Sequence, residues 1–363
     1  MPELCRLLVV CVLFVSPVRS HESAYDFIFN NVTRITSSQT YLNHPFENGI
    51  GSNKANVSHR QLSAKWEPLR IHVDTSILAT QQHKFGDEAK KVLHRITSFA
   101  LPKAIQILTK HLHVIRVKGD LALYPQCMLH APNKKGFDHL VPTESTHCRV
   151  TPRDWKYEWE ICHGIIVPRV HHYMSAANTD FVLYLTAEDK NVTDKTLVRA
   201  LAWGDACRID QHHRPVAARI HLFLKFLAFK NSQGHLSNNY LVTVLTHELS
   251  HALGWTYGNF RWFRDEYGNI RKNAITYKKA LGKTITLLST PTVTKYVREH
   301  FGCNSLTGLE LEDQHPGHSA RSHPEKRIFP ESFMSSSILT MSNYHIDALA
   351  LSVFQDSGWY QVR

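Results

Sequence analysis

The sequence predicts an α+β fold, a twisted mixed sheet with two long helices followed by a C-terminal lobe. Stretches such as "TDFVLYLTAED" are apolar runs of strand length, rich in β-branched and aromatic residues, as expected of a buried sheet. Two longer stretches, "GDEAKKVLHRITSFALPKAIQILTKHL" and "NNYLVTVLTHELSHALG", repeat their apolar residues three and four positions apart, the period of a helix. With 363 residues, 43% of them apolar, the chain is long enough for one large domain or two or three smaller ones with their own cores. No internal repeat orders it otherwise.

Residues 1–20, "MPELCRLLVVCVLFVSPVRS", run from a charged start through an apolar centre to Val18 and Ser20 before a cleavage position. That is the layout of a secretory signal peptide, too short for a membrane span. No second such segment follows, so an exported protein without a transmembrane segment is expected. Residues 21–65, polar and rich in Asn, Ser and His, are expected to form a propeptide. Residues 66–256 are expected to form an N-terminal lobe, in which "LRIHVDTSIL", "HVIRVKGDLALY" and "TDFVLYLTAED" read as strands. Pro102 is expected to kink the first long helix. Residues 127–176 read as loop, and "ARIHLFLKFLAF" as a further strand. Asn238 or Asn239 is expected to cap the second long helix, and Gly254 to leave it with positive φ. Residues 257–363 read as an insertion and a C-terminal lobe, with helices at "TPTVTKYVREHF" and "NYHIDALALSVFQDSG".

The formal net charge is +11, yet Lys and Arg are scattered and no basic run interleaves with aromatic residues, which argues against nucleic acid as a partner. A basic surface on an exported protein instead suits acidic cell-surface or matrix components. Of seven cysteines, Cys127, Cys148, Cys162, Cys207 and Cys303 lie beyond the signal peptide, so two disulfides and one further cysteine are expected in an oxidising compartment. Sequons at Asn31, Asn56 and Asn191 fit a glycosylated, secreted protein.

The second long helix carries "THELSHALGW". His247 and His251 stand one turn apart on one face, the spacing at which two imidazoles bind one tetrahedral Zn²⁺. Glu248 is rotated about 100° from His247, beside a metal-held water and not a ligand to the metal. A carboxylate there takes a proton from the attacking water and gives it to a departing amine, the work of a general base in amide hydrolysis. A chain with 25 histidines makes a bare HExxH weak evidence by itself. Its place on the best-defined helix, closed by a glycine, strengthens the metal reading. The compact metzincin motif HExxHxxGxxH puts a third histidine three residues after the glycine, where this chain has Tyr257. Glu266, His300, His315, His318, His323 and His345 are the downstream candidates for a third ligand, and composition does not choose among them.

Four stretches in order, "HELSHALGW", "REHFGCNSLTGLELED", "SHPEKRIFPESFM" and "ALSVFQDSGWYQV", resemble the leishmanolysin family of secreted or surface zinc peptidases, and weaker matches extend from about residue 66. The resemblance implies a metzincin-like fold, one Zn²⁺ and extracellular protein or peptide substrates. It implies that an insertion splits the motif, that His323 is the third ligand, and that Met334 forms the turn beneath the metal. Three departures stand out. Residues 21–100 contain no cysteine to cap the metal, leaving His44, His59 or a non-inhibitory leader. Pro324 replaces the family's tryptophan, and the chain ends at Arg363, before the family's cysteine-rich C-terminal domain. The competing reading is a secreted adhesion or decoy protein that keeps the fold without turnover, against which an intact Glu248 argues.

Overall fold

The computed structural model describes residues 38–40 and most of 65–363; residues 118, 124–127, 133–137, 143–160, 163–164, 169, 172–177, 190–199, 229, 232–233, 281, 314–320 and 337–345 are not described. The expected signal peptide, nearly all of the expected propeptide with His44 and His59, the three sequons, Cys127, Cys148, His315, His318 and His345 lie outside the described residues.

In chain order the elements that position the site begin with β1 (Ser38–Thr40), β2 (Trp66–Pro68), β3 (Ile71–Asp74), α1 (Ser76–Gln81), α2 (Asp87–Arg95), α3 (Leu101–His111) and β4 (Leu112–Ile115). They continue with β5 (Phe181–Glu188), β6 (Ala202–Asp210), β7 (Pro215–Phe223) and α4 (Asn238–Ala252). After α4 come β8 (Ile275–Ala280), β9 (Lys283–Leu288), α5 (Pro291–Phe301), β10 (Leu309–Glu310), α6 (Ala348–Asp356) and β11 (Gln361–Val362). The architecture is mixed α/β. A five-stranded sheet runs in the order β1-β6-β7-β5-β3, with β6 and β7 antiparallel and the other neighbours parallel.

Strand residues alternate between faces, and both faces of this sheet are covered. Phe181, Leu183 and Leu185 of β5 enter the larger core, which they share with α2, α3 and α4. Val182 and Tyr184 enter a smaller core on the other face, closed by the Cys162–Cys207 disulfide. The helix α4 is buried at every residue from Leu241 to Ala252, its polar residues Thr243, Thr246, His247, Glu248, Ser250 and His251 included. The last strand, β11, pairs with β4, which follows α3, and so joins the small sheet that β4 makes with β2. No described helix is long and apolar enough to cross a membrane.

Several sequence expectations change. The cap of α4 is Ser237, whose hydroxyl accepts the Tyr240 amide at 3.1 Å; Asn238 is already helical. Pro102 lies in the first turn of α3, directly after a π-helical stretch at Ile96–Ala100 that joins α2 to α3 with helical backbone throughout, so the irregularity expected at the proline takes the form of a π-bulge just before it. The "LRIHVDTSIL" stretch is strand only to Asp74, because the Asp74 carboxylate accepts the Ser76 amide at 2.8 Å and turns the chain into α1. Among its described residues "HVIRVKGDLALY" is strand only at its first three, the end of Leu112–Ile115, in a small sheet with β2 and β11, whereas "ARIHLFLKFLAF" leaves β7 for one helical turn at Leu224–Leu227. Within 127–176, short strands pair at Met128–Pro132 with Asp138–Pro142. Strand β6 and the β8–β9 hairpin carry no strong periodic signal: Gly204, Asp205 and Asp210 interrupt β6, and the outer part of the hairpin is exposed.

Candidate metal centre

Helix α4 delivers His247, Glu248 and His251, all buried, to one end of the sheet. It can lie that close because β6 has glycine where they touch: a Cβ on Gly204 would collide with the Glu248 carbonyl oxygen and lie 2.9 Å from its carbonyl carbon. At the helix exit Gly254 has φ +114, and a Cβ there would lie 2.8 Å from the Trp359 ring. The turn folds back, and the Trp255 carbonyl accepts the His251 Nδ1 hydrogen at 2.6 Å.

The third imidazole, that of His323, comes from 72 positions beyond His251. Leu311 and Pro324 form an antiparallel bridge, and the amides of Glu312 and Glu325 bond to the carbonyls of His323 and Glu310 at 2.9 and 2.8 Å. The Tyr257 amide donates to Ser322 Oγ at 3.2 Å, across 65 positions, and the Arg321 guanidinium lies over the Tyr257 ring. The chain just after the helix therefore meets the segment just before His323. His323 Nε2 lies 3.1 Å from His251 Nε2 and 3.3 Å from His247 Nε2, and the two helical Nε2 atoms are 3.0 Å apart. His247 Nδ1 is bonded to the Phe333 carbonyl at 2.7 Å. Met334, fully buried, follows Phe333, and the Asp347 carboxylate accepts the Phe333 amide at 3.0 Å and the Ser332 hydroxyl at 2.8 Å.

These residues fit a divalent ion. With Nδ1–H donated to carbonyls, His247 and His251 present Nε2 lone pairs 3.0 Å apart, which repel unless a cation lies between them, and His323 Nε2 stands within 3.3 Å of both. A tetrahedral ion with imidazole ligands at about 2.0–2.1 Å spaces them about 3.3–3.4 Å apart, close to the separations found. Burial and neighbouring Glu312 push the Glu325 carboxyl up to about 7, while burial and the Tyr277 hydroxyl push the Tyr257 phenol up.

Of the sequence candidates for the third position, His323 is the one brought to the helix pair among the described residues; Glu266 and His300 are exposed and outside the cluster. Sequence reasoning missed the carbonyls of Trp255 and Phe333, which leave no side-chain signature, and Gly204, whose role depends on a helix distant in sequence.

Two imidazoles one turn apart, a carboxylate beside the first and a third imidazole from a distant loop are the residue set by which metallopeptidases hold an ion. The leishmanolysin family of peptidases matches residues 33–363, and the chain belongs to that family. It is similar to leishmanolysin of Leishmania donovani, at 29% identity over 82% of this chain and 45% of that protein. Leishmanolysin of Leishmania major gives 29% over 82% and 44%. A leishmanolysin-like peptidase of Drosophila melanogaster is 23% identical over 99% of this chain and 56% of its own length. The chain thus spans about half the length of these relatives.

Proposed function

We propose that the chain is a secreted zinc-dependent endopeptidase that hydrolyses peptide bonds of extracellular proteins. The fold reading is metzincin-like, with residues 66–256 as the catalytic lobe and 257–363 as insertion and C-terminal lobe. His247, His251 and His323 would hold one Zn²⁺, with Met334 in the turn beneath. The observation that carries this reading is the convergence of three Nε2 atoms, two of them on rings whose Nδ1 faces a carbonyl. An ion bound there supplies acidification of water and polarisation of a peptide carbonyl. The Trp255 and Phe333 carbonyls fix ring orientation, so the imidazoles need no rearrangement on metal binding. Glu248 accepts a proton from the attacking water and returns it to the departing amine. An extended peptide would lie along an edge strand above helix α4. Export by residues 1–20, and a basic surface resting on acidic matrix, complete the reading.

The test measures bound zinc and casein cleavage in wild type and Glu248→Gln. The variant should keep its zinc while cleavage falls by about 10²–10⁴-fold. Zinc bound without any Glu248-dependent cleavage would overturn the peptidase reading in favour of an adhesion or decoy protein.

A further inference from the structure

A second group of metal-ligating side chains lies across the sheet from the triad. His72 and Asp74 are two apart on β3 and so share one face. Asp74 pairs in register with Tyr184 of β5, whose side chain enters the smaller core on the face away from α4. Onto this face comes His171, held in its turn by backbone bonds from its amide to Pro168 and from the Leu123 amide to its carbonyl, at 2.9 and 2.7 Å. One nitrogen of each imidazole and one Asp74 carboxylate oxygen all lie within 4.8 Å of one another.

Two of the three ligating side chains, Asp74 and His171, are aimed by a partner behind them. Asp74 Oδ1 accepts the Ser76 amide and hydroxyl at 2.8 and 2.6 Å, which leaves Oδ2 facing the cluster. His171 Nδ1 meets the Tyr184 hydroxyl at 2.8 Å, so its Nε2 faces Asp74. The two rings stand perpendicular, with centroids 5.9 Å apart. His171 is buried, so its orientation is set by the fold, whereas His72 is exposed. The separation between His171 Nε2 and Asp74 Oδ2 is 3.6 Å, too long for a hydrogen bond. Two ligands each about 2.0–2.1 Å from a shared ion stand about 3.3–3.6 Å apart, from tetrahedral to trigonal angles.

We propose that His72, Asp74 and His171 form a second site for a zinc-class divalent ion, on the opposite face of the sheet from the histidine triad. Two imidazoles and one carboxylate suit zinc and its first-row neighbours better than calcium or magnesium, which prefer oxygen throughout. With His72 exposed, the ion keeps open positions for water and exchanges with solvent. It ties the turn at His171 to the edge strand β3.

The test strips the full chain with chelator, dialyses it against micromolar Zn²⁺ and counts bound zinc by elemental analysis. Wild type should hold two equivalents, and His72→Ala and the double variant His247→Ala/His251→Ala one each. His83→Ala, at an exposed histidine outside both clusters, should hold two. Tyr184→Phe, which removes the partner behind His171, should weaken the second equivalent by about 10–100-fold. His72→Ala leaves any direct His171–Asp74 ion pair in place, so its loss of one equivalent distinguishes a metal site from that pair. A count that is the same in His72→Ala and wild type overturns the second site, whatever the triad does. A count that falls in His72→Ala but not in the double variant overturns the triad instead.

Discussion

A methyl group placed on Gly204 tests whether sheet and metal helix are held in direct contact. The Cβ of Gly204→Ala would overlap the Glu248 carbonyl oxygen and stand 2.9 Å from its carbonyl carbon and 3.2 Å from its Cα. These are backbone atoms inside a buried helix, so no side chain can swing aside to make room. Strand and helix must part, by a displacement on the order of 1 Å in a close-packed interior. Overpacking of this kind costs about 1–3 kcal/mol, and at this chain length Tm should fall by roughly 1–2 °C for each kcal/mol. The shift falls on the residue that follows His247 and is the proposed base. A misplacement of about 1 Å near the reacting groups costs about 10²-fold in turnover. The assays are Tm by calorimetry, zinc affinity by competition with a chelator, and kcat/KM on a casein-derived peptide. Gly86→Ala is the control: its Cβ meets Asp189 at 3.4 Å, and the change should stay within about 1 kcal/mol of wild type. A Gly204→Ala variant with wild-type Tm and turnover would refute the claim that this glycine sets the helix position.

Three further outcomes are expected. Asp347 caps α6 at the Ala350 amide, 2.7 Å away, and also holds the Phe333 amide whose carbonyl orients His247. Asp347→Ala should therefore lose about 1 kcal/mol of stability and about 10–100-fold in zinc affinity; unchanged affinity would show that the carboxylate only caps the helix. His213 stacks on Trp262 with centroids 4.3 Å apart, and burial, then the neighbouring Arg264 charge, lower its pKa from 6.5 to about 4. The unfolded chain binds the extra proton between those values, so this stability is complete above about pH 6.5 and is lost as pH falls toward 4. After discounting for solvent screening of a half-buried group, the loss is on the order of 1 kcal/mol. His213→Asn keeps a residue tolerant of the φ of +67 and should flatten this acid limb of the stability curve; an unaltered limb would assign it to other groups. Finally, the Cys162–Cys207 bridge closes a separation of 45 residues, worth about 4 kcal/mol by chain entropy. Cys162→Ser/Cys207→Ser should lower unfolding stability by about 2–4 kcal/mol in denaturant titration, and a loss below about 1 kcal/mol would show that the smaller core holds without it.

How much of this was legible depends on how far apart in the chain each requirement lies. The pair His247 and His251 is visible because both needs, a shared face and a helix, are met within one turn. Gly254 is visible for the same reason, although its second role against Trp359 is not. His323 lies 72 positions beyond His251, and no local pattern separates it from Glu266 or His300. Only the family resemblance singled it out. The Tyr257–Ser322 bond shows what a local pattern misses: the segment between them closes on itself, so its length is of little consequence to the imidazole that follows. His72 and Asp74 illustrate the same limit from the other side. Their spacing on a strand is readable, but His171 arrives from beyond the sheet, and two ligands without a third make no site. Gly204 is the hardest case. Read alone it weakens a strand, and its value appears only when a helix from elsewhere in the chain is laid across it. Residues that act by what they lack are therefore where a single sequence is least informative. The same logic makes them the sharpest test of the structure, because adding one carbon at Gly204 changes no charge, ligand or hydrogen-bonding group, only the distance between β6 and α4.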